Sequence, residues 1–542
     1  MAIIPEDGLT LNASSDTSKR KNGAGRSDKN VFAGEELAAL NESPATPYDP
    51  HAHRNIEHPT TNGETLIHIL KGSLGTGILA MPDAFRNSGL LVGTIGTILI
   101  GILCTYCFLV LIRCQYEICK RIRKPLINYP DTMKYALQQG PPYLRFAAGL
   151  SMPIVDGFLI VYQLGICCVY TVFIGVSIQE FVKGLGYEME ARTYMLIILP
   201  LLIAITLIRN LKLLAPFSQA ANFAMFLGLG ILLYYIFQNF PSINSDKLVG
   251  PPMRYTLFIG TTLFALEAVG VFLALENNMK TPKSFGGATG VLSQGMTIVT
   301  ILYVLMGFVG YVRYGECVRG SITLNIPQGD FLAQLTKLIF AFAIYITYAL
   351  QCYVPVDIIW SSYMKESFAK RANSLTYQYL LRIVCVVITF LLAIAIPYLS
   401  LFISLFGALC LSMLGIAFPA LIEICILYPN NYGTLKYILF KNIFIILIGV
   451  FAGALGTGLA VNDIVKAING IKSANNCTES CGLDEYVKNP SSNGYALCSC
   501  LNFRPDVSFL VQLSQFSSRC LDFRLEFSAG CLIFCPAVSI FV

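Results

Sequence analysis

Within ten consecutive positions the chain places His68, Gly72, Ser73, Gly75, Thr76 and Gly77. They fall in LIHILKGSLGTGILAMP, residues 66–82, an apolar run of roughly membrane-spanning length. The chemistry these residue types suit is recognition of a small polar solute and carriage of a proton. The glycines weaken helical hydrogen bonding, and Ser73 and Thr76 add hydroxyls, so backbone groups freed at mid-membrane face a solute instead of lipid. His68 titrates near pH 6.5 in model peptides, and an ionisable group inside a membrane is costly unless it is used. The plainer readings stay open at this point: a neutral histidine donating to a carbonyl, and glycines serving close helix packing.

A second interruption lies in TLFALEAVGVFLALENNMKTPKSF, residues 262–285, where Glu267 sits mid-span as a proton acceptor, an anchor for an ammonium group, or a hydrogen-bonded strut. A solute carboxylate would be met by the N–H groups around Gly72, Ser73, Gly75, Thr76 and Gly77, at the positive end of the following half-helix. Its ammonium would meet carbonyls around Phe264 and Ala265, with Phe264, Tyr162 and Tyr348 closing a small side-chain pocket. Asp156 and Gln163, seven residues apart, share a helical face directed into the bundle. Lys71 neutralises Glu267 or Asp156, or snorkels, and Glu276 caps or gates the inner end of its span.

The elements that must position these groups are transmembrane helices. Of 542 residues, 55% are hydrophobic and 13% charged, and the apolar residues gather into long runs. Eleven spans are expected near 66–85, 89–114, 146–180, 193–208, 214–237, 255–276, 290–312, 331–360, 377–396, 398–426 and 437–462. The loop between spans two and three carries Arg113, Lys120, Arg121, Arg123, Lys124, Lys134 and Arg145, which places it, and with it the N-terminus, in the cytoplasm. The net charge of +6 thus speaks of orientation and not of a nucleic-acid partner. An odd span count puts the C-terminus outside.

Three regions follow: a polar, disordered cytoplasmic arm over 1–60, a transmembrane domain over 61–465, and an extracytosolic cysteine-containing tail of unknown fold over 466–542. Seven cysteines crowd into the tail, and Asn476 heads an Asn-Cys-Thr glycosylation acceptor there. The cysteines in the spans read as small packing residues, and no metal motif or nucleophile–base pair recurs, so no enzyme is expected. The two interrupted spans stand five apart, which suits two five-helix repeats of opposite topology with broken first helices and one helix beyond them. The glycines of span two, Gly93, Gly96 and Gly101, suit packing.

Five runs occur in order: LIHILKGSLGTGILAMPDAFRNSG from Leu66, LIRNLKLLAPFSQAAN from Leu207, LFALEAVGVFLALENNMKTPKSF from Leu263, GSITLNIP from Gly320 and TYALQCYVPVDI from Thr347. Together they resemble the proton-coupled amino acid transporters of the amino acid/auxin permease superfamily over about residues 60–465. That resemblance implies an all-α broken-helix, inverted-repeat carrier that moves small neutral amino acids such as glycine, alanine and proline with protons, by alternating access. It needs no cofactor, with His68 at the family's coupling position, in a plasma or lysosome-like membrane. A sodium-driven carrier on the same architecture and an amino-acid sensor with little flux are the alternatives.

Overall fold

A computed structural model describes residues 48–54, 59–73, 75–187, 189–208, 211–238, 248–266, 269–365, 374–429 and 431–468; for 211–215 and 269–271 it describes the backbone alone. The principal helices are α1 (Asn62–Ser73), α2 (Thr76–Ser88), α3 (Leu90–Ile122), α4 (Tyr129–Gln139), α5 (Ala148–Gly184), α6 (Ala191–Thr206) and α7 (Leu211–Phe237). There follow α8 (Tyr255–Ala265), α9 (Val269–Asn277), α10 (Val291–Tyr314), α11 (Phe331–Ile358), α12 (Ser374–Ala395), α13 (Leu399–Leu427) and α14 (Tyr437–Ile468).

Eight helical segments are long and apolar enough to cross a membrane, and α6 is a shorter apolar helix. The pairs α1/α2 and α8/α9 supply the two remaining spans, so all eleven expected spans are present among the described residues. Both interruptions fall where the sequence placed them, in spans one and six. Each half also inserts a short segment between its second and third spans: α4 in the first, and the turns around Gly315–Cys317 and Ile322–Leu324 in the second. This is an all-α polytopic fold with a 5+5 inverted repeat and broken helices one and six.

The core lies where the broken spans meet their neighbours. α2 packs against α8 and α10, α1 against α9 and α10, and α8 against α13. Gly89 turns the chain sharply from α2 into α3 with φ of 83°, and a Cβ there would meet the Gly250 nitrogen at 2.5 Å. The glycines of span two are packing residues: a Cβ on Gly96 would strike the Phe258 ring at 2.7 Å, and one on Gly101 the Thr300 side chain at 2.5 Å.

The disordered arm expected over 1–60 needs correction at its end. Residues 48–54 and 59–60 are ordered, because ion pairs and a backbone ladder hold them to the end of α9. Asp49 caps the short turn Pro50–His53 and pairs with Lys283 at 3.0 Å, while Arg54 forms a bidentate pair with Glu276 at 3.0 and 3.2 Å. Thr60 exchanges backbone hydrogen bonds of 2.9 Å with Asn278 and Lys280. Residues 1–47 and the tail from 469, including Asn476, lie outside the described residues, as does Glu267.

Candidate substrate site

α1 ends at Ser73 and α2 begins at Thr76 after Gly75, so the first break is narrower than the glycine pattern implied. Gly72 and Ser73 therefore differ from expectation: they sit in the last turn of α1, where free groups are carbonyls, not N–H donors. Donors begin at the other side of the break. The first turn of α2, from Thr76 and Gly77, presents N–H groups at a positive helix end, the polarity a carboxylate needs. Gly75 is extended, with φ of −131°, and its N–H donates to the Ser73 carbonyl at 3.1 Å.

Gly77 has a second role that its sequence context did not reveal. A Cβ at this position would come within 2.6 Å of the Ala265 Cα and 3.1 Å of its Cβ. The absent side chain is what lets α2 touch the last turn of α8. Ala265 thus lies against the first turn of α2, and its neighbour Phe264 is buried. The Phe264 ring meets Tyr162 of α5 edge to face, with centroids 6.3 Å apart at 72°. The Tyr162 hydroxyl and the Ser73 Oγ are buried without a hydrogen-bond partner, two polar atoms left over near the breaks.

One residue absent from the sequence-based set ties the breaks together. Tyr303 of α10 is fully buried, and its hydroxyl approaches both the Ser73 carbonyl, at the end of α1, and the Ala265 carbonyl, at the end of α8, the latter at 2.8 Å. Its only sequence signal was a phenol within an apolar span, and a buried tyrosine hydroxyl must find an acceptor. Which acceptor was not legible. Tyr348 of α11, also expected to close the pocket, is fully buried, and its hydroxyl and that of Thr389 of α12 lie 2.9 Å apart in a hydrogen bond. Tyr170 of α5 lies closer, with its hydroxyl 3.7 Å from where a Gly75 Cβ would be.

His68 sits five residues before Ser73, about 7.5 Å along the helix axis. It is half-buried beside the buried stripe of Thr65, Ile69 and Ser73, and its Nδ1 is buried without a partner. Lys71 does not turn to a carboxylate; its Nζ donates to Gln219 of α7 at 3.0 Å.

Residues 58–461 match the family described as transmembrane amino acid transporter protein. The chain belongs to this amino acid transporter family. It is 43% identical to the Drosophila melanogaster proton-coupled amino acid transporter-like protein pathetic over 78% of this chain and 88% of that one. It is 27% identical to vacuolar amino acid transporter 4 of Saccharomyces cerevisiae over 57% of this chain and 42% of that one. Among solved structures it is similar to Mhp1 in its inward-facing conformation, at 12% identity and TM-score 0.49, over 79% of this chain and 94% of that one. It is also similar to a Na⁺-coupled sialic acid symporter, at 13% identity and TM-score 0.45, over 81% and 96%.

This amino acid transporter is a multi-pass carrier and not an enzyme, and its remaining intramembrane charges gather at the two ends of the bundle. At the end that bears α4, the Asp156 carboxylate accepts from the Tyr363 hydroxyl at 2.9 Å, and Glu276 is held by Arg54. At the opposite end Arg86 pairs with Asp83 at 2.5 Å and donates to the Val318 carbonyl at 2.6 Å. There too Glu180 of α5 receives Arg319 at 2.7 Å and Gln328 at 2.9 Å. Both ends of the transporter thus carry polar pairs, of which Asp156–Tyr363 links α5 to the segment after α11, while the middle keeps hydroxyls and helix ends.

Proposed function

We propose that this transporter moves small neutral amino acids together with protons, the substrate lying between the two helix breaks and the proton carried through His68 with Glu267. The observation that carries this reading is the meeting of opposite helix ends at the bundle core. The start of α2 attracts a carboxylate, while the ends of α1 and α8 attract an ammonium group. A zwitterion of amino acid size complements both. Phe264 and Tyr162, packed edge to face, are the aromatics that would close over a small apolar side chain. His68, on the half-helix that leads into the break, has a buried ring nitrogen without a partner, the condition of a group kept for proton exchange. The 43% identical relative carries proton coupling in its name, which supports the same ion for this chain.

Orientation follows the basic loop after α3, with the N-terminus cytoplasmic and the tail carrying Asn476 extracytosolic. The membrane is the plasma membrane or a lysosome-like one. Substrate-dependent proton current in proteoliposomes, read against a panel of amino acids, tests the whole reading. Glycine, alanine and proline are expected to evoke current that collapses with the pH gradient and with His68→Ala. Flux indifferent to both overturns the proton assignment, and amino-acid binding without flux would make the protein a sensor.

A further inference from the structure

The ends of α1 and α8 form an acceptor site in the core. A helix leaves its last four carbonyls without intrahelical partners, and its dipole makes that end negative. In carriers built from broken helices, such half-helix ends and the adjoining unwound carbonyls are where a coupling cation is coordinated. Here the final residue of each half-helix, Ser73 in α1 and Ala265 in α8, turns its carbonyl toward one point. A cation would be expected there, and a phenol occupies it.

We infer that the Tyr303 hydroxyl takes the place of an alkali-metal ion between these two carbonyls and so makes the carrier indifferent to sodium. Three features support this. The hydroxyl is a neutral donor, so it answers two negative helix ends without bringing a charge into the core. It is delivered by α10, a continuous span that packs against both α1 and α2, so it cannot diffuse away as an ion does. The side chain is fully buried, and the Thr261 hydroxyl that follows Gly260 on α8 is already bonded to Ser404 at 2.8 Å. With the phenol in place, both carbonyls already have a donor, which lowers what a sodium ion would gain there.

The inference deepens the proposed function, since it names the residue that decides which ion drives the same site. Removing the hydroxyl leaves two converging carbonyls and a void of about one oxygen atom, the size of a dehydrated sodium ion. The test is the thermal melting of purified, substrate-free protein in sodium chloride against choline chloride at fixed pH, for the wild type, Tyr303→Phe and Tyr303→Ser. Wild type is expected to melt alike in both salts. The variants are expected to gain stability from sodium, with free sodium at about ten times its Kd raising the folded-to-unfolded ratio about tenfold.

Tyr303→Phe, which changes only the hydroxyl, decides the matter if the serine variant fails to fold. A wild type already stabilised by sodium, or a folded Tyr303→Phe that ignores it, overturns the inference; a merely structural hydroxyl would change melting equally in both salts. Because this readout contains neither substrate nor pH gradient, loss of proton coupling in the flux assay would refute the proposed function without touching it.

Discussion

Gly77→Ala offers the sharpest test of how the broken spans are joined. The added Cβ would lie 2.6 Å from the Ala265 Cα, 3.1 Å from its Cβ and 3.4 Å from its carbonyl oxygen. Carbon atoms in contact prefer about 3.5–4.0 Å, so α2 and α8 must part by about 1 Å. The nearest atom is backbone inside a helix, which cannot rotate aside as a side-chain tip would. Overpacking of this kind costs about 1–3 kcal/mol, equivalent to about 5- to 150-fold in the population of the correctly packed state. Gly75→Ala is the matched control, since its Cβ would meet only the Tyr170 hydroxyl, at an ordinary 3.7 Å. Melting temperature and uptake kinetics of the two variants, expressed and purified in parallel, give the answer. Gly77→Ala is expected to lose both stability and transport, and Gly75→Ala to keep its stability. A Gly77→Ala protein with wild-type melting and wild-type uptake would show that these half-helices do not meet at Ala265.

Other perturbations follow from particular contacts. Arg54 and Glu276 are each 5% exposed, so Arg54→Ala strands a buried carboxylate and should cost about 3–5 kcal/mol. Adding Glu276→Gln should recover part of that loss, and a double-mutant cycle in thermal melts that shows no coupling would rule the pair out. Burial, aided by the neighbouring Arg54, pushes the His51 imidazole down to about 4, outweighing Asp49; Glu276, 3.8 Å away, is already committed to Arg54. The folded form therefore prefers neutral His51, and the unfolded chain binds more protons between about pH 6.5 and 4. The contribution of the ordered segment 48–54 is complete above pH 6.5 and declines as pH falls through that window. Limited proteolysis of this segment across pH 7 to 4 should show faster cleavage on acidification, reduced in His51→Gln. Tyr348→Phe breaks only the bond to Thr389, so it should lower stability by about 0.5–1.5 kcal/mol with substrate KM unchanged. Tyr162→Phe removes an unpartnered hydroxyl and should leave the substrate-free protein as stable as before while weakening substrate binding. A lowered melting temperature with unchanged affinity would assign that hydroxyl to packing.

Much of this architecture was legible along the chain. Long apolar runs announce membrane spans whatever their neighbours do, and glycines with hydroxyl residues weaken a helix locally. Spans one and six were accordingly located as broken before any packing was known, and Phe264 and Ala265 of span six were read as carbonyls facing a substrate ammonium. The width of the first break was not legible, because the composition of a break does not fix it; the helix runs on through Gly72 to Ser73, and α2 begins at Thr76. The bond of Tyr348 to Thr389 was not legible, because an aromatic in a span that is apolar on every side carries no sign of which helix it faces.

The sequence by itself determined the class of protein, the number of spans, and the positions at which two of them come apart, since each depends on hydrophobicity and backbone propensity over a few consecutive residues. Only the tertiary structure decided what those freed groups meet. Tyr303 reaches Ser73 across 230 positions, and Arg54 reaches Glu276 across 222. Gly77 proved to be a contact surface as well as part of a donor turn. The reason is physical: inside a membrane bundle, lipid-facing and partner-facing residues are alike apolar, so periodicity does not mark the buried face. Helix crossing and close approach choose the partners, and those emerge only when all the spans are packed together.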